Sequence, residues 1–70
     1  MSEYVIKLVW DSEACVWIAT SEDVPGLVLE SGSYDALIER VRMTVPDLLG
    51  KEYKDISIHF TAERYEKAYA

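Results

Sequence analysis

The sequence predicts an α+β fold, a two-layer βββαβ sandwich, and three observations carry that prediction. Apolar residues alternate with others over residues 4–11 and again over 56–61, and between them one apolar stripe runs in steps of three and four from Tyr34 to Leu49. A period of two marks a strand with one covered face, and a period near 3.6 marks a helix with one buried stripe. At 70 residues the chain is one small domain, able to bury only about 60% of the surface its unfolded form exposes. The domain is expected over residues 1–62, with a short polar tail, frayed helix or disordered, over 63–70.

In the first strand Tyr4, Ile6, Leu8 and Trp10 alternate with Val5, Lys7, Val9 and Asp11. Asp11 to Ala14 is turn-competent, and Cys15 to Ser21 is rich in β-branched and aromatic residues, so the two runs read as a hairpin. Pro25 and Gly26 break the second run, and Leu27 to Glu30 forms a short third strand. Ser33 stands where an N-cap belongs, with Asp35 in the first turn and Gly50 as the stop. The stripe of the helix is Tyr34, Leu37, Ile38, Val41, Val45, Leu48 and Leu49. Pro46 removes the bond to the carbonyl of Arg42, which predicts a kink or a break near Val45. Ile56, Ile58 and Phe60 mark the fourth strand. Because the helix reverses the chain, that strand is expected to lie parallel to the first, in order 3-2-1-4.

A hairpin turn at Asp11 to Ala14 sets Trp10 opposite Cys15 and Leu8 opposite Trp17. The helix-facing set is then Tyr4, Ile6, Leu8, Trp10, Cys15, Trp17 and Ala19. The other face carries Val5, Val9, Val16, Ile18 and Thr20, more apolar than a solvated sheet face should be. A second copy of the chain is expected to cover it, and the open sheet edges of so small a domain point the same way.

Half of the residues are hydrophobic, 29% are charged, and the net charge is −6. This is a globular composition, and no apolar run approaches the roughly 20 residues of a membrane span. The start lacks a secretory signal, so a cytoplasmic protein is expected. A phosphate backbone is repelled by the net charge, which argues against direct DNA binding. The acids are uneven: residues 1–39 hold eight of them against Lys7 alone, and that half suits a basic partner.

Catalytic constellations are weak. His59 is the one histidine, and its neighbours Ser57 and Asp55 do not make a triad on a single strand. Cys15 reads as a packing residue, and no cysteine and histidine set offers zinc ligands. Asp11, Glu39 and Asp55 evoke the acidic site of ribonuclease H-like nucleases, yet ends of parallel strands stand far outside the roughly 4 Å of a two-metal site. The three glycines make no phosphate loop, and Arg40, Arg42, Lys51 and Lys54 are interleaved with acids. No enzyme activity and no cofactor are expected, with a residual magnesium-dependent nuclease or a stand-alone dimeric ligand-binding domain as alternatives.

Three segments together resemble a known family: Val9-Trp10-Asp11, then Val16-Trp17-Ile18-Ala19-Thr20-Ser21-Glu22-Asp23-Val24-Pro25-Gly26-Leu27, then Ser33-Tyr34-Asp35-Ala36-Leu37. In order and spacing they are similar to the HicB-like antitoxin superfamily, in particular its short single-domain branch of unknown function. The resemblance implies a partial ribonuclease H-like fold without the catalytic acids, and a protein that silences a small basic HicA-type mRNA-cleaving toxin by covering its active surface. Carried over by position, Glu22, Asp23, Val24, Pro25 and Gly26 become candidate partner-binding residues, joined by Glu30. Full antitoxins of this kind add a DNA-binding module after the domain, whereas here a short polar tail follows it, so autoregulatory DNA binding is not expected.

Overall fold

The computed structural model describes residues 2–66. Alternation of side chains builds its four strands: β1 (Ser2–Asp11), β2 (Val16–Thr20), β3 (Val28–Ser31) and β4 (Ile56–Glu63). They form one mixed sheet in the order β3-β2-β1-β4, with β1 antiparallel to β2, β2 antiparallel to β3, and β4 parallel to β1. The expected α+β class, strand order and parallel fourth strand are those observed. Helix α1 (Tyr34–Leu49) lies against β2 and β3, and a 3-10 turn at Tyr53–Asp55, which the pattern does not announce, precedes β4.

Helix α1 starts where the Ser33 hydroxyl accepts a hydrogen bond from the Ala36 N–H at 3.2 Å, satisfying one of the first-turn donors. It stops at Gly50, whose φ of 66 closes the last turn onto the carbonyls of Pro46 and Asp47. Pro46 does not break the helix, which is continuous to Leu49. Three residues from the end, proline removes a single ladder bond, and the glycine cap recovers the final carbonyls.

The hairpin register corrects the expected one by two residues. Trp10 pairs with Trp17 and Leu8 with Ala19, because the connection takes four residues, 12–15. The Asp11 carboxylate accepts from the N–H groups of Glu13 and Ala14, and Cys15 adopts a left-handed φ of 55. Cys15 is therefore an exposed turn residue. A shift of two keeps every side chain on its own face, so the rest of the helix-facing set holds.

Ile6, Leu8, Ala19, Leu37, Val41 and Val45 form the centre of the core, closed by Val24, Leu27 and Ile56. Leu48, placed on the helix stripe by its spacing, is 47% exposed. Beyond the helix N-terminus the layer continues as aromatic rings: Tyr34 meets Trp17 edge-on at 5.1 Å, Trp17 meets Trp10 at 5.5 Å, and the Arg64 guanidinium lies 4.4 Å from the Trp10 ring. Strand β4 runs to Glu63, one residue into the expected tail, and residues 67–70 lie outside the described residues.

Candidate functional site

Ladder pairing between β1 and β2 ends at Lys7 and Thr20, and two side chains carry it further. The Ser21 hydroxyl donates to the carbonyl of Val5 at 2.6 Å, and the Asp23 carboxylate accepts from the N–H of Val5 at 2.8 Å. The Asp23 N–H in turn donates to the Ser21 hydroxyl. Together they latch the loop to β1 two residues beyond the last ladder pair. Both backbone groups of Val5 are thereby satisfied.

The chain then turns at Val24-Pro25-Gly26-Leu27. Proline sets the first corner, Gly26 supplies a φ of 86 at the second, and the Leu27 N–H closes on the carbonyl of Val24 at 3.2 Å, a type II turn. Val24 and Leu27 are buried on either side of it. Of the candidate loop residues, Val24 thus anchors the core and Asp23 holds β1, while Glu22, Pro25 and Gly26 are exposed.

Register places the remaining candidates. Val5, Val9, Val16 and Ile18 lie together on the sheet face opposite α1, joined by Val28, which is 71% exposed. No described element covers this face. Glu30 sits beside Ile18 on it, Glu63 beside Val9, Asp11 beside Val16, and Glu3 flanks Val5. Lys7 is the one lysine or arginine that the described strands place there. A depression of about 560 Å³, lined by Val5, Lys7, Thr20, Ser21, Glu22, Asp23 and Thr61, links the apolar stripe to the acidic loop. The structure thus brings two groups that are separate in the sequence, the stripe and the loop, onto one surface.

This surface belongs to a chain whose residues 3–70 match a family described as a domain of unknown function, DUF1902. The chain belongs to that family. Among solved structures it is similar to a hypothetical protein of the extremely thermophilic bacterium Thermus thermophilus, with a TM-score of 0.70 and 28% identity over 97% of this chain and 99% of that one. No curated protein matches it.

Elsewhere in this DUF1902 domain the other candidates are kept apart. Ile56 pairs with Ser2, so Asp55 and Asp11 stand at opposite ends of neighbouring strands, about 30 Å apart at about 3.3 Å per residue. Among the described residues no three His, Cys, Asp or Glu side chains are grouped as metal ligands. His59 faces Glu3 on the exposed sheet face, Nδ1 to Oε1 3.6 Å. Arg40 donates to the carbonyl of Glu30, Lys51 to the Tyr4 hydroxyl, and Arg42 and Lys54 face Glu39 and Glu52. These last two pairs are exposed and add little to stability. The Ser21 latch escapes a sequence reading because it joins positions 16 residues apart; its local signal is a serine two residues before an aspartate, a hydroxyl turn at a strand end.

Proposed function

We propose that this DUF1902 domain is a non-enzymatic binding module that holds a basic protein on the sheet face opposite α1. What carries the reading is the composition of that face, an apolar stripe of Val5, Val9, Val16 and Ile18 bordered by Glu3, Glu22, Glu30 and Glu63. A centre of apolar side chains supplies the contact area, and a rim of one charge sets the partner and speeds its approach. The resemblance to HicB-like antitoxins makes that partner a small basic ribonuclease of the HicA type, silenced by occlusion of its active surface. A second copy suits this face less well, because two acidic rims would oppose one another.

The test uses the tagged chain to capture its partner from native lysate and then measures association of the two purified proteins. Glu22→Lys with Glu30→Lys is the variant of choice, since Asp23 is committed to the latch. The expected outcome is an association rate lowered about tenfold or more with the dissociation rate little changed, and RNA cleavage by the partner that returns when the complex is separated. Association as fast as the parent's, or a partner that is itself acidic, would remove the reading.

A further inference from the structure

Strand β4 has a partner on one side only: β1 pairs along its whole length, and no described strand adjoins its outer edge. Which backbone groups face outward follows from Val5, whose N–H and C=O point toward β2 and its loop. Backbone groups alternate sides along a strand, so Tyr4, Ile6 and Leu8 direct theirs at β4. In a parallel ladder each bonds the two residues that flank its partner. Ser57, His59, Thr61 and Glu63 therefore spend their backbone groups on β1, and Ile56, Ile58, Phe60 and Ala62 turn theirs to the open edge.

Those same residues project their side chains to the helix side of the sheet, where Ile58, Phe60 and Ala62 lie level with Tyr4, Ile6 and Leu8. Because α1 lies over β2 and β3, it leaves Ile58 and Phe60 only half-buried. The devices that blunt an edge strand are missing: from Ile56 to Glu63 there is no proline, no lysine and no bulge in the register. The opposite edge, β3, is four residues long and ends at Gly32.

We propose that the outer edge of β4 docks a second copy of this chain, β4 against β4 in antiparallel fashion, about a two-fold axis at Ile58. In that register Ile56 lies across from the second copy's Phe60 and Ser57 from its His59, so apolar residues meet on the helix side and polar ones on the other. Moving the axis to His59 would bring Asp55, the residue immediately before β4, level with the second copy's Glu63, a pair of like charges that disfavours that register. The product is one continuous eight-stranded sheet with two helices on one face. This surface is separate from the acidic face and leaves it open. An eight-residue edge is at the small end of specific interfaces, below about 1,200 Å², so the dimer dissociates on dilution.

Amide hydrogen exchange by NMR tests the proposal on the unaltered chain, at two protein concentrations about a hundredfold apart. The dimer protects the amides of Ile58 and Phe60, and protection of about tenfold or more grows with concentration, while Ser57, His59 and Thr61 are protected at both. Exchange of Ile58 and Phe60 at unprotected rates throughout would overturn the proposal, and a dimer formed through the acidic face would give that same result. Ile58→Pro deletes an outward N–H that no internal bond uses, and is expected to be a folded monomer by light scattering, whereas Ile58→Ala, which keeps the N–H, retains concentration-dependent association. A folded proline variant that still dimerises would equally overturn it, and if that variant does not fold the exchange pattern decides.

Discussion

At Cys15 the backbone turns through a φ of 55, a conformation that crowds the Cβ of an L residue at a cost of roughly 1–2 kcal/mol. Removing Cβ relieves the crowding, and part of the gain is lost to the freedom glycine restores to the unfolded chain. Cys15→Gly is therefore expected to stabilise the fold by about 0.5–1 kcal/mol in urea titrations followed by tryptophan fluorescence. Cys15→Val, with a branched Cβ, is expected to lose about 1 kcal/mol or more. A glycine variant weaker than its parent would show that the thiol contact with the Ser12 carbonyl, at 3.6 Å, outweighs the strain. The two adjacent acids of the loop separate in the same assay. Asp23→Ala removes the acceptor of the Val5 N–H and is expected to cost about 1–2 kcal/mol, whereas Glu22→Ala should stay within about 0.5 kcal/mol. Equal losses at both positions would dismiss the latch.

Helix α1 carries a proline in its last turn and still runs to Leu49. An interior proline costs about 3 kcal/mol against alanine, and near a helix end the penalty shrinks because fewer bonds depend on the position. Pro46→Ala is expected to raise stability by about 1–2 kcal/mol, and a loss instead would show that the half-buried proline ring packs to more effect than the restored bond. How much of each element is legible in the sequence follows from the range of the forces that make it. The helix shows through Leu37, Val41 and Val45 at steps of four and through Ser33 and Gly50 at its ends, all local signals. The strands show through their period of two, which also places Val5, Val9, Val16 and Ile18 on one face. The hairpin register does not show, because its turn puts a cysteine, not a glycine or asparagine, in the left-handed position. Nor does the union of that face with Glu22 and Glu30, which depends on how β3 and the latched loop come back across the sheet. Leu48 fits the helical stripe by spacing, yet it is exposed while Leu49, one residue on, packs against the core, a choice that the spacing alone does not make.

Across the whole molecule the excess of acid is placed on one side. The strands facing away from α1 carry Glu3, Asp11, Glu30 and Glu63 with Lys7 as the one strong base, while Arg40, Arg42, Lys51 and Lys54 belong to the helix and the segment after it. Such a field acts oppositely on folding and on binding. Within one chain it is self-repulsion, which added salt screens, so stability is expected to rise modestly between about 0.01 M and about 0.15 M ionic strength. Toward a basic partner the same field is attraction, and the association rate should fall over that range, steeply for the parent and weakly for Glu22→Lys with Glu30→Lys. Parallel urea titrations and stopped-flow association at the two salt concentrations read both slopes. Stability that does not rise with salt would remove the self-repulsion, and an association rate that does not fall would remove the attraction, leaving the apolar stripe alone to select what binds this face.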